Sequence, residues 1–122
     1  MKLKISGIEN VGDLEKERVV LRSTADQDVG GYVVFKTKKT GENRISPKVS
    51  DVHWFDDKLV KKDDWILLYT KTGTYSSTNN EKGNTSHFFY WNKTEPLWNE
   101  NKSAAILLYV DEWKAFFPDA KK

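Results

Sequence analysis

The strongest constraint on this chain is its apolar periodicity. Apolar residues come in short runs, alternating or unbroken, and polar turns separate the runs. No segment sustains the 3.6-residue repeat of a packed helix. Residues 9–18 come nearest, but Gly12 and the short length make that stretch a loop. The pattern predicts strands over residues 3–8, 18–22, 32–37, 52–55, 65–70, 87–91 and 104–110, and a last one over 112–117 stopped by Pro118 unless a short helical turn forms there. An all-β fold follows: an antiparallel β-sandwich of about seven to nine strands, with a barrel as the alternative.

The 122 residues suit one domain, with a core over about residues 3–117 and a short polar C-terminal tail. No repeat or linker divides them. The two most apolar runs, 65–70 and 104–110, are expected as central strands covered on both faces. Gly30-Gly31 before the third strand signals a bulge or a close backbone approach. Residues 72–85 are almost wholly polar except for Tyr75 and form an exposed loop or a long hairpin tip. In the polar loop 56–64, Leu59 and Val60 are the apolar anchors. In the loop 93–102, Pro96, Leu97 and Trp98 take that role.

Several chemistries are excluded at once. There are no cysteines, so there is no disulfide framework, thiol nucleophile or Cys-ligated zinc. No Gly-x-Ser-x-Gly elbow and no phosphate-cradling glycine loop occurs. His53 and His87 are the only histidines, without metal-ligand spacing, and each reads as a half-buried ring satisfied by backbone. Asp56, Asp57, Asp63 and Asp64 form the densest acidic group, but Lys58, Lys61 and Lys62 lie among them, so the group reads as a solvated turn. No catalytic residue, metal or cofactor is expected. The N-terminus has no signal-like apolar stretch and the longest apolar run is too short to span a bilayer, so a cytoplasmic chain without a membrane role is expected.

Two features point to binding. Sixteen aromatics (five Trp, five Tyr, six Phe) exceed what a disordered chain carries. Neighbours in Phe88-Phe89-Tyr90-Trp91 point to opposite sides of a strand, so two of the four leave the core face. If Trp54, Tyr75, Tyr90 or Trp98 shares an open face, that face is a protein-binding site. The second feature is the basic group Lys36, Lys38, Lys39 and Arg44 around the turn at Gly41. With a net charge of only 20 − 18 = +2, it is a modest electrostatic footprint, and beside an aromatic it would stack single-stranded bases.

The order of motifs also resembles a lamin-tail domain. An acidic residue, Glu17, precedes the apolar strand 18–22; a polar turn follows, and Gly31-Tyr32 opens the next strand. The segment from Phe55 through Leu59 to Trp65-Ile66-Leu67-Leu68-Tyr69 is similar to the family's aromatic segment, Leu, turn and apolar strand. Tyr90-Trp91, then Leu97-Trp98-Asn99-Glu100, then residues 104–109 resemble its closing strand, Trp-Asn loop and strand. Tyr32 stands where the family usually has Trp, and Lys61-Lys62-Asp63 replaces a Pro-Gly-type turn. The resemblance covers residues 3–117. It implies an immunoglobulin-like sandwich and a non-catalytic interaction or scaffold module with a protein partner and no shared catalytic residues. A nucleic-acid-binding module using residues 36–44 is the alternative. Oligomeric state is not specified.

Overall fold

In a computed structural model, which describes residues 1–98 and 101–119, eleven strands build two facing sheets and a small two-stranded ribbon. The first sheet runs β1 (Leu3–Glu9), β2 (Arg18–Ser23), β8 (Trp65–Tyr69), β10 (Thr85–Tyr90), β9 (Ser76–Asn79). In the second, β4 (Tyr32–Gly41) is central. It pairs with β11 (Ser103–Tyr109) on one side, and with β6 (Ser50–Trp54) and β5 (Arg44–Ile45) on the other. β3 (Gln27–Asp28) and β7 (Leu59–Val60) form the ribbon. The count exceeds the expected seven to nine because three of the strands are only two residues long.

The all-β class and the two-layer architecture agree with the periodicity. One pairing does not: β8 and β10 are parallel, with Ile66 opposite His87 and Leu68 opposite Phe89. After β8 the chain passes beyond the position of β10, descends as β9 and returns by a hairpin into the gap. A parallel pair needs such a crossover, and the polar stretch 72–85 supplies it. That stretch is thus a hairpin arm, exposed along β9.

Alternation decides which side chains close the core. From the first sheet come Leu3, Val19, Leu21, Ile66, Leu68 and Phe89; from the second come Tyr32 and Val34, with Leu107 and Ala105 packed alongside. Val29, Phe55, Val60, Trp91, Leu97 and Trp98 close its ends. Val60 anchors the 56–64 loop as expected, whereas Leu59 points to solvent. The close approach at Gly30-Gly31 is present. A Cβ on Gly30 would lie 1.9 Å from Asp57 Oδ1, and one on Gly31 would lie 3.0 Å from the Tyr109 ring.

Three expectations need correction. β8 is central between β2 and β10, but only Ile66 and Leu68 are buried; Trp65, Leu67 and Tyr69 are half-exposed on the outer side. β11 is not central: it is an edge strand of the second sheet. Residues 112–117 form neither strand nor helix, and Phe116 and Phe117 are 90 % and 82 % exposed. Asn99 and Glu100 of the Trp-Asn loop, and the tail from residue 120, lie outside the described residues. Among the described residues no helix is long and apolar enough to cross a membrane.

Candidate interaction surface

Two buried polar nodes hold the sandwich in shape and define which surfaces are left over. The first is Glu17, fully buried just before β2. Its Oε1 accepts the Gly12 N–H (3.0 Å) and the Trp98 N–H (3.1 Å). Its Oε2 accepts the Leu97 N–H (2.9 Å) and the Thr70 hydroxyl (2.5 Å). A buried carboxylate persists only when its lone pairs are filled, and four donors fill these, three of them 53 or more positions away in sequence. Glu17 therefore fastens the loop carrying Leu97 and Trp98 to the ends of β2 and β8.

The second node is a chain of three side chains. The Tyr75 hydroxyl lies 2.7 Å from His87 Nδ1, and His87 Nε2 lies 2.8 Å from Asp64 Oδ2. The tautomer that fits carries its proton on Nε2, donates to Asp64 and accepts from Tyr75. A protonated ring fits too, because the Tyr75 oxygen can also accept. Asp64 further accepts the N–H groups of Lys61 and Thr85, both at 2.9 Å. Burial raises the pKa of this carboxyl, but the donors outweigh it and hold it below the usual carboxylate range. Two readings are corrected here. Asp64 is not part of a solvated turn, because its own loop donates to it. His87 is satisfied by side chains, not by backbone. With both ring nitrogens occupied and the ring in the core, His87 presents no basic atom to a substrate.

His53 projects inward from β6, edge-on to Phe55 (4.9 Å between centroids) and tilted against Trp91 (5.8 Å). Its Nε2 is buried without a hydrogen-bond partner. Burial, opposed by the nearby Asp56 carboxylate, pushes its pKa down to about 4. The two histidines thus belong to different sheets, and no group of three or more His, Asp or Glu among the described residues is arranged to hold a metal.

The outer face of the second sheet is the surface that these constraints leave apolar. The register places Leu108, Val33 and Trp54 in one row, and Ile106, Phe35 and Val52 in the next. Val52, Trp54 and Leu108 are about half exposed, and Trp54 is 45 % exposed. Trp54 Nε1 donates to the Gly30 carbonyl at 2.7 Å, which fixes the ring at the sheet surface. Trp113 packs edge-on against it at 5.2 Å.

The first sheet also has an aromatic outer face, made of Trp65, Tyr69, Phe88 and Tyr90, and cations lie over Trp65 and Tyr69. Arg22 lies over Trp65 at 5.1 Å, and Arg18 and Lys71 lie over Tyr69 at 5.6 and 5.2 Å. Each of these cations pairs with an acid: Arg18 with Glu9, Arg22 with Asp63, Lys71 with Glu15. Such stems and heads shield the rings beneath them.

The candidate residues therefore separate. Trp54 lies on the open face. Tyr90 is half-buried, stacked on Tyr69 at 5.7 Å, with Gly73 pressed against its ring. Tyr75 is half-buried, with its hydroxyl on His87 and Lys58 Nζ 4.3 Å above its ring. Trp98 is no surface residue: it is 2 % exposed and packs on Trp91 at 6.1 Å. Its backbone bond to Glu17 and its place between Leu97 and a polar loop make it an anchor. Lys38, Lys39 and Arg44 are exposed around the β4–β5 hairpin, while Lys36 is half-buried further down β4. β4 rises about 3.3 Å per residue, so Lys39 lies about 20 Å along the strand from Val33 and its partner Trp54. Trp54 and the basic hairpin thus occupy opposite ends of one sheet. Sequence reasoning missed Val52 and Leu108, whose exposure depends on which strands flank β4.

The chain matches no family model, and no curated protein matches it either.

Proposed function

We propose that the chain is a non-catalytic, lamin-tail-like interaction module that docks a protein partner on the outer face of the β11–β4–β6 sheet. The observation that carries this reading is that face itself. Val52, Trp54 and Leu108 are each about half exposed on a sheet whose inner side already closes the core, around a buried Val33 and with Trp113 beside Trp54. Half-exposed apolar side chains grouped around a fixed Trp are a usual form of protein-binding hot spot. The absence of an accessible base at His87, and the order of motifs around Glu17 and Gly31-Tyr32, support an interaction role over hydrolysis. The test is site-specific photo-cross-linking from position 52 in cells expressing the chain. A discrete protein adduct is expected; its absence would refute the reading.

A second reading has its own observation. Lys36, Lys38 and Lys48 line one cleft of about 390 Å³ beside the β4–β5 hairpin, a shape suited to a phosphate backbone. Nucleic-acid affinity would then fall steeply with salt. A titration of single- and double-stranded DNA over a salt series decides it, and no binding at low salt removes it. The distance of Lys38 and Lys39 from Trp54 along β4 favours the first reading over base stacking.

A further inference from the structure

We propose that the open edge of β11 pairs with the same edge of a second copy of this chain, joining two molecules through one continuous sheet. β11 reads Ser-Ala-Ala-Ile-Leu-Leu-Tyr and carries no charge, proline or glycine. That is the composition of a strand held between two neighbours, yet β11 has only β4 beside it among the described residues.

The register fixes which backbone groups are taken. The Val110 N–H donates to the Gly31 carbonyl, and the Lys39 N–H to the Lys102 carbonyl. Both pairs continue the register of Tyr109 on Tyr32 and Ser103 on Lys38. Hydrogen-bonded and non-bonded pairs alternate along an antiparallel ladder. Ala104, Ile106 and Leu108 therefore exchange bonds with β4, and the N–H and C=O groups of Ala105, Leu107 and Tyr109 point to the open edge. The other outer edges are guarded as exposed edges usually are. β1 carries Lys4 and Glu9, β9 is entirely polar, and β6 carries Asp51 next to a bulge. Nothing guards β11.

Its side chains suit a copy of itself. Antiparallel self-pairing centred on Ile106 uses the whole strand and the outward-pointing amides. It sets Ala104 opposite Leu108, Ala105 opposite Leu107, and Ile106 opposite Ile106. A small residue faces a large one on either side of the sheet, and no charge meets its like. The contact closes on a two-fold axis, so it ends at two molecules. Beyond Val110 the chain leaves this edge and crosses to the far side of β4, where Trp113 rests on Trp54.

The test is sedimentation of the full chain with amide exchange read per residue. A monomer–dimer equilibrium is expected, with the Ala105, Leu107 and Tyr109 amides gaining protection as concentration rises. The Ala104, Ile106 and Leu108 amides are protected throughout. Ile106→Lys puts two ammonium groups face to face, and Ile106→Glu two carboxylates; each alone should be monomeric, and an equal mixture of the two should dimerise again. Trp54→Ala, across β4, should leave the dimer intact, which separates this contact from the docking face proposed above. A wild-type chain that remains monomeric up to about 1 mM overturns the proposal. So does a dimer whose Ala105, Leu107 and Tyr109 amides exchange at a rate independent of concentration, a readout that requires no variant to fold.

Discussion

Replacing Glu17 by Ala removes the acceptor for four donors at once. The Gly12 N–H lies near the surface, where water can take over, and the Thr70 hydroxyl can rotate. The Leu97 and Trp98 N–H groups are buried and both donate to this carboxylate. A buried donor left unsatisfied costs about 1–3 kcal/mol, so these two alone amount to about 2–6 kcal/mol. We expect a loss near 4 kcal/mol, a large share of the 5–15 kcal/mol typical of a domain. Glu17→Gln keeps the shape but turns an amide NH2 toward one pair of donors, and should cost about half as much. The assay is urea unfolding followed by Trp fluorescence, with stability taken from midpoints at constant m. Amide exchange should also show Leu97 and Trp98 losing protection before the β2 and β8 amides do. A Glu17→Ala loss below about 1 kcal/mol would refute the idea that this carboxylate fastens the loop.

His53 and Asp64 make successive acid limbs, both losing stability as pH falls. His53 is held at about 4 against an ordinary 6.5, so above pH 6.5 the ring is neutral whether folded or unfolded and contributes nothing. Between 6.5 and 4 the unfolded chain takes up a proton that the folded one refuses. Stability falls there by about 3 kcal/mol at most, then levels off. His53→Phe should flatten that interval in denaturant midpoints measured from pH 7.5 to 4; an unchanged slope would show that the ring is not held neutral. Asp64 acts lower. Its carboxyl is depressed, so its contribution is complete above the ordinary carboxylate range and is lost as pH falls through the folded value. Asp64→Asn should therefore lose stability at neutral pH and converge with wild type in acid. Parallel curves for the two proteins would contradict the assignment.

Side-chain periodicity carried the architecture. The alternation in Phe88-Phe89-Tyr90-Trp91 requires two of the four to leave the core face, and the structure shows these to be Phe88 and Tyr90; Gly30-Gly31 correctly marks a backbone close approach. Periodicity reports where side chains go, not what the backbone pairs with. The same apolar density therefore appears in β8, which has a neighbour on each side, and in β11, which has one. The polar nodes are invisible for another reason. Glu17 meets donors 53 and 80 positions away, and His87 meets Asp64 only because β10 enters beside β8. Trp98 looks the same in sequence whether it anchors a loop or faces a partner; the buried carboxylate that binds its amide decides the matter.

The central claim is that a partner docks at the Val52–Trp54 end of the second sheet. The direct measurement is the yield of the position-52 cross-link in three folded proteins: wild type, Trp54→Ser and the double variant Lys38→Glu, Lys39→Glu. The adduct should be lost with Trp54→Ser and retained with the lysine variant. An adduct that survives Trp54→Ser, or disappears with the lysines, would contradict that claim.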